Sequence, residues 1–318
     1  MASLREILAQ RPPKTITVIR TDRVGDLILS TPFLQGLRAG FPQASVVALL
    51  PPYCRQVLQW SGLVDRQIGL DAAELPDSDL VVALAPRTEC LRLAYRTGAP
   101  VRLGYVYRDR PLVRLAARFL LTHYEEVTVK PPLEVAHEVE HLDRLARRLG
   151  LPSTRDLPLT VGLNSRKVPG RLVFHLGDRW LAAGWRFEDV RDVLRELRRF
   201  GEIKVTAGPR EEELLLENEL GIDGIELCRG LSFDRWAELV GSAEVVVSPD
   251  TGAVHLSAAM RTPVVVAYEA ATFQHCSRQW APWKVPSRSV IKTSPRETLP
   301  KLLAAVEELV SDSRNGAP

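Results

Sequence analysis

TITVIRTDRVGDLILSTPFLQGLRAGFPQASVVALL, residues Thr15–Leu50, is the stretch on which the fold turns. Its first six residues, Thr15–Arg20, read as a strand, the first five all β-branched. Asp26–Ala39 carries apolar residues at helical spacing, and Ala44–Leu50 is a second aliphatic strand. A strand, a helix and a strand in immediate succession predict parallel pairing, with helices covering both faces of the sheet. The pattern continues outward with a helix over Tyr53–Trp60 and short strands at Leu80–Leu84 and Val101–Leu103. Pro131-Pro132 interrupts it before a helix from about Glu134 to Leu149, which Gly150-Leu151-Pro152 ends as Gly and Pro beyond a C-terminus should.

Ser153–Gly170 (STRDLPLTVGLNSRKVPG) is broken by Pro and Gly, has no long apolar pattern and reads as a linker. Alternation then restarts with strand Arg171–His175, helix Arg186–Arg199, strand Glu202–Thr206, helix Arg210–Leu220, strand Ile225–Leu227 and helix Phe233–Val240. Strand Glu244–Val247, helix Gly252–Met260, strand Pro263–Ala267 and a terminal helix Glu297–Leu309 complete it. The expected architecture is α/β, two doubly wound domains in series over 1–165 and 166–318, with a terminal helix able to pack back on the first. Ligands of such sheets bind beyond the carboxyl ends of the strands, so the loops there are where chemistry is expected.

A chain of 318 residues suits two domains, and 45% hydrophobic with 25% charged residues is ordinary globular composition. The net charge of +3 hides an asymmetry: 21 basic and 17 acidic residues up to position 165 give +4, against 21 and 22 after it, −1. Between Arg87 and Arg118 eight Arg face only Glu89 and Asp109, a local +6. That is too little for a nucleic-acid protein of this size but enough for a local anion site. Cys54, Cys90, Cys228 and Cys276 are far apart and form no CxxC, so reduced, largely buried thiols are expected. The first residues, MASLREILAQRPPK, show no signal-type apolar region, and no window approaches a membrane span. A cytoplasmic protein is expected, with surface attachment to a membrane left open.

Two turns concentrate polar groups after predicted strands. Thr21-Asp22-Arg23-Val24-Gly25-Asp26 follows the first strand and contains no GxGxxG, which removes the main support for dinucleotide binding. Asp26 there reads either as a helix N-cap or as a catalytic carboxylate. Ser248-Pro249-Asp250-Thr251-Gly252-Ala253-Val254-His255 empties a core strand into a helix whose open amides favour a phosphate or diphosphate. Helix capping alone needs fewer polar residues than Asp250, Thr251, Gly252 and His255 supply. A single Asp-Thr-Gly in a strand–helix setting does not fit the paired carboxylates of an aspartic protease.

His137-Glu138-Val139-Glu140-His141 is a literal HExxH. Val139, Leu142, Leu145 and Leu149 form the apolar stripe of its helix, and His137 and His141 align with Arg144 and Arg148 on what reads as a charged face. Solvated or interface histidines are expected there rather than zinc. Asp77-Ser78-Asp79 has the spacing of a metal-binding DxD but stands at the start of a strand, where a turn is expected.

With these motifs in place the chain resembles glycosyltransferase family 9, the ADP-heptose:lipopolysaccharide heptosyltransferases and their relatives. ITVIRTDRVGDLILSTPFLQGLRAGFPQA is similar to the family's strand, Gly-Asp turn and helix, and SPDTGAVHLSAAMRTPVVVAYE to its Asp-Ser/Thr-Gly-x-x-His element. HEVEHLDRLARRLGL, KVTAGPREEE and RQWAPW fall between and after them in the family's order. The resemblance implies a GT-B fold, two Rossmann-like domains facing across a cleft, with inverting chemistry and neither metal nor cofactor. It makes Asp26 the general base, and Asp250, Thr251, Gly252, Ala253 and His255 the holders of the donor's diphosphate and nearby sugar. It assigns the ribose to Glu211, with Glu212 or Glu213 of the same run as the alternatives.

Many members carry a Lys before a Trp in the loop after the first strand of the second domain. Here the loop reads His175-Leu176-Gly177-Asp178-Arg179-Trp180-Leu181-Ala182-Ala183-Gly184-Trp185-Arg186, so Arg179 or Arg186 stands in, with His175 on the donor side. The family's Asp-Leu-Gln-Gly element is replaced by Ala83-Leu84-Ala85-Pro86-Arg87. On the acceptor side Arg23, Arg87, Arg102 and Arg108 would grip an anionic glycan or glycolipid, or the membrane surface bearing it, against the plainer reading of a solvated basic face. The expected function is transfer of heptose from ADP-heptose to such an acceptor, at the inner face of the plasma membrane. Another nucleotide sugar or acceptor, or a nucleotide-sugar-binding protein without turnover, is the alternative.

Overall fold

β1 (Thr15–Ile19) is buried from its second residue onward, as an apolar strand covered on both faces must be. The computed structural model describes residues 3–129, 135–208, 222 and 224–315. The chain divides into two compact units, Met1–Gly162 and Leu163–Pro318, and the division falls inside the Pro- and Gly-interrupted stretch from Ser153 to Gly170.

In the first unit α1 (Leu4–Gln10) precedes β1, and α2 (Val24–Leu29), α3 (Thr31–Gly40), β2 (Ser45–Leu50), α4 (Arg55–Leu58), β3 (Arg66–Gly69) and β4 (Leu80–Ala83) follow it. α5 (Thr88–Arg96), β5 (Val101–Tyr107), α6 (Pro111–Leu120), β6 (His123–Val127) and α7 (Glu138–Arg148) complete the unit. The six strands are parallel in the order β3-β2-β1-β4-β5-β6, with Ile16 of β1 opposite Val46 on one side and Leu80 on the other. The order reverses between β1 and β4, so a crevice opens beyond their carboxyl ends.

The second unit repeats this plan. It comprises β7 (Arg171–Leu176), α8 (Phe187–Leu197), β8 (Glu202–Ala207), β9 (Ile225–Cys228), α9 (Phe233–Ser242) and β10 (Val245–Pro249). α10 (Gly252–Ala259), β11 (Val264–Glu269), α11 (Phe273–Gln279), β12 (Ser287–Lys292) and α12 (Pro295–Asn315) follow. Its parallel order, β12-β11-β10-β7-β8-β9, reverses between β7 and β10. One core cluster joins Phe174, Trp180 and Trp185 to Val190, Val247 and Leu302. The terminal helix α12 packs on β10, β11, β12 and α8 of its own unit.

Several elements differ from expectation. The helix expected over Asp26–Ala39 begins at Val24 and breaks at Ser30 into α2 and α3, where Thr31 donates to the Ile28 carbonyl and Pro32 opens the new helix. Three strands escaped the sequence reading, β3 (RQIG), β6 (HYEEV) and β12 (SRSVIK), all at sheet edges. Edge strands keep one side in water and lack a continuous apolar run. The helix expected over Arg210–Leu220 lies outside the described residues. All four cysteines are free thiols. Among the described residues no helix is long and apolar enough to cross a membrane.

Candidate active site

At the crevice of the first unit the chain leaves β1 through Arg20, whose side chain is only 2% exposed. Its guanidinium donates to the Leu84 carbonyl at the end of β4 and lies 3.1 Å from Glu138 Oε1, 3.4 Å from Asp22 Oδ2 and 3.6 Å from Asp26 Oδ1. Tyr105 of β5 donates its hydroxyl to Glu138 Oε1. Three carboxylates thus share one buried cation, and they share it unequally. Burial pushes the Asp26 carboxyl above its ordinary range, with Arg20 opposing and Asp22 and Glu138 adding to the rise. Glu138 is more deeply buried, yet Arg20, His141 and the Tyr105 hydroxyl hold it below the ordinary value. A pair of carboxylates pushed apart by their surroundings is the arrangement in which one acts as a base while its neighbour stays a fixed charge. Asp26 is the one near solvent, with 15% of its side chain exposed, at the third position of α2, where it also accepts from the Arg23 amide at 3.4 Å.

In the second unit the loops after β7 and β10 meet. Arg179 Nη1 lies 2.6 Å from Asp250 Oδ2. Gly177 allows a close approach: a Cβ there would stand 3.0 Å from both Pro249 Cγ and Thr251 Cγ2, tight enough that they would have to shift. Thr251 is the residue preceding α10, but no side chain caps the helix; its hydroxyl pairs with Ser248 Oγ at 3.1 Å instead. The first amides of α10 therefore keep their anion-binding capacity, with the Asp250 charge balanced by Arg179.

The loop carrying Arg179 is anchored from below. Trp180 is fully buried, stacked on Phe174 with ring centroids 5.1 Å apart and against Trp185 at 5.7 Å. Lys292, at the end of β12 and 2% exposed, donates to the carbonyls of Arg179, Trp180 and Ala182, and its Nζ lies 5.6 Å from the Trp185 ring centroid. Ala183 takes a left-handed conformation, φ 58°, which residues with a side chain rarely adopt.

A sequence model of glycosyltransferase family 9 (heptosyltransferase) matches residues 78–302, more than half of the chain. The chain belongs to glycosyltransferase family 9. Among solved structures it is similar to the family 9 glycosyl transferase of Veillonella parvula (17% identity, TM-score 0.74, 94% of this chain and 97% of that one). It is also similar to ADP-heptose lps heptosyltransferase II of E. coli (19%, 0.71, 94% and 99%). A third is E. coli heptosyltransferase WaaC with ADP-2-deoxy-2-fluoro heptose (19%, 0.70, 94% and 99%). The two six-stranded parallel sheets are those of the GT-B fold, and the protein is a glycosyltransferase.

Within this glycosyltransferase the structure brings Asp26, Arg23 and Arg87 to one crevice. Arg87 Nε is 3.2 Å from Asp22 Oδ1, and Arg23 Nε is 3.9 Å from Asp26 Oδ2. Arg108 follows the carboxyl end of β5, 3.7 Å from Glu126. Arg102 does not join them. It is the second residue of β5, at the opposite end of the sheet, where it donates to the Ala99 and Leu120 carbonyls at 2.6 and 2.9 Å.

In the second unit Asp250, Thr251, Gly252, Ala253 and Arg179 stand together, and His255 is buried one turn into α10. Arg186 is 80% exposed at the start of α8, turned toward Asp189, so Arg179 is the cation of this loop that reaches Asp250. His175 is buried, its Nδ1 3.0 Å from Thr206 Oγ1 and its ring 5.5 Å from Trp236; burial lowers it to about 4, so it is neutral near pH 7. Glu211 lies outside the described residues.

The HExxH histidines are not on a solvated face as expected. His141 is fully buried against Tyr105, and His137 begins α7 by accepting from the Val139 amide. The motif's glutamate is the residue that matters, through Arg20. Asp79 of the DxD accepts from the amides of Lys14 and Thr15 at 2.8 and 3.1 Å, a turn at the amino end of β1. Sequence reasoning missed Arg20, Glu138 and Lys292. The available signal was the same in each case: a charged residue at a position where strand alternation or a helix stripe calls for an apolar one.

Proposed function

We propose that this glycosyltransferase moves heptose from ADP-heptose to a hydroxyl of an anionic surface glycan or glycolipid, with inversion and without a metal, on the cytoplasmic side of the membrane. The first unit serves the acceptor and the second the donor. The observation that carries the reading is Asp26 at the start of α2, beyond the carboxyl end of β1, 3.6 Å from the buried Arg20 that it shares with Asp22 and Glu138; burial raises its carboxyl. Asp26 removes the proton of the acceptor hydroxyl as its oxygen attacks the anomeric carbon. The bond from that carbon to the diphosphate oxygen breaks, and the diphosphate leaves with the electron pair. A base lifted above the ordinary carboxylate range accepts the proton more readily than a solvated Asp would.

Charge developing on the diphosphate falls to the uncapped amides of α10 and to Arg179. ADP as the nucleotude is supported by WaaC, whose structure was determined with an ADP-heptose analogue. Glu211 is proposed for the ribose on the family resemblance. A second reading, nucleotide-sugar binding without turnover, is favoured by Ala182-Ala183 standing where many members carry Lys. A thermal-shift panel of ADP, UDP, GDP and CDP tests the donor class. ADP at a hundredfold excess over its Kd should add about 2.7 kcal/mol of stability, the others far less. Indifference to ADP contradicts the proposal, and ADP binding without transfer to any acceptor favours the second reading.

A further inference from the structure

Among the described residues of the first unit, exposed large apolar side chains stand singly at Ile7, Tyr53 and Trp60, but three fall on one helix. Along α6, Leu112 is 80%, Leu115 53% and Phe119 73% exposed, and their spacing sets them in one row. The opposite face is used normally: Ala117 is buried, and Val113 and Leu120 pack on the core. Tyr95 of α5, which packs on α6, is also 53% exposed. Arg102 ties them, donating to the Leu120 carbonyl while its guanidinium stacks 5.5 Å from the Tyr95 ring centroid. Scattered single apolar side chains need no explanation, but a contiguous row does.

Its surroundings name the occupant. Arg92, Arg96 and Arg118 are exposed, and among the described residues none has an acidic group within ion-pairing distance. Arg108 and Arg114 share Glu126, and the whole stretch from Arg87 to Arg118 carries +6. A second copy placed face to face would set arginine against arginine. A surface of anionic lipid phosphates with an apolar interior accepts both components: the arginines at the headgroups and the leucines and phenylalanine at the acyl boundary. We infer that α6, with Tyr95 and the arginines around it, is the face by which this protein docks on an anionic bilayer. Its start is also at the acceptor end of the sheet, since Arg110 Nη1 reaches the Pro86 carbonyl at 3.5 Å beside Arg87. Docking would thus bring Asp26's end of the unit toward a lipid-borne acceptor, the one point that rests on the proposed function.

The test is co-sedimentation of the full chain with vesicles of phosphatidylethanolamine holding about one-third phosphatidylglycerol, at about 0.1 M salt, beside vesicles of phosphatidylcholine. The chain should partition onto the anionic vesicles at least about tenfold better, and Leu112→Ser/Phe119→Ser should remove about tenfold or more of that binding. Its unfolding temperature and transfer to a soluble acceptor fragment should stay unchanged. Should the double variant fold poorly, Leu112→Ser alone, at the most exposed position, serves. Equal partition of variant and parent overturns the inference. So does a dimer in sedimentation velocity that the variant abolishes, which would assign the face to a second copy. Vesicle binding that survives a failed transfer assay would leave this face standing and remove the proposed function instead.

Discussion

Arg20 is the residue from which the chemistry of the first unit follows. A guanidinium buried to this degree is costly unless carboxylates compensate it, and three are within 3.6 Å. Glu138 takes the closest position and the Tyr105 hydroxyl, leaving Asp26 the less stabilised anion, which suits it to the role of base proposed for it. Glu138→Gln removes a negative charge that raises Asp26. The acid limb of the kcat/KM profile should therefore move to lower pH, whereas an unmoved limb would deny Glu138 this influence. Asp26 and the Asp250–His255 run were legible because each is a dense polar group directly after a strand. Arg20 and Glu138 were not: each stands where an apolar residue is expected, but their pairing spans 118 positions and neither names the other as its partner.

At the scale of elements, the loop between β7 and α8 shows how a site is held by what lies beneath it. Lys292 gives its donors to three carbonyls of that loop and thereby fixes Arg179 against Asp250. Lys292→Met keeps the length of the side chain but leaves buried carbonyls without a donor, at about 1–3 kcal/mol each before the loop relaxes. The expected result is ADP affinity about tenfold weaker by calorimetry, with the acid limb of the rate profile in place; unchanged affinity would show that the loop holds itself. Central strands such as β1 and β10 were legible from unbroken apolar runs. β12, which delivers Lys292, was not, because an edge strand alternates and its inward positions include a lysine.

At the scale of the whole molecule, both units solve one problem in the same way. Each uses the same strand order and gathers its polar residues beyond the switch point, Asp26 in one and Asp250 with Arg179 in the other. The duplication was readable from the restart of alternation after Ser153–Gly170. What each half binds was not readable from alternation and rests on the site residues. If the halves divide the reaction as proposed, proton removal can be abolished without disturbing the nucleotide. Asp26→Asn should not lower stability near pH 7: its folded value is raised above the unfolded one, so ionised Asp26 opposes folding once pH exceeds the unfolded value. The most direct measurement is turnover of Asp26→Asn with ADP-heptose and acceptor, alongside its affinity for ADP. The account predicts kcat lower by about 10²–10⁴ with ADP binding unchanged, whereas turnover near that of the parent enzyme would contradict it.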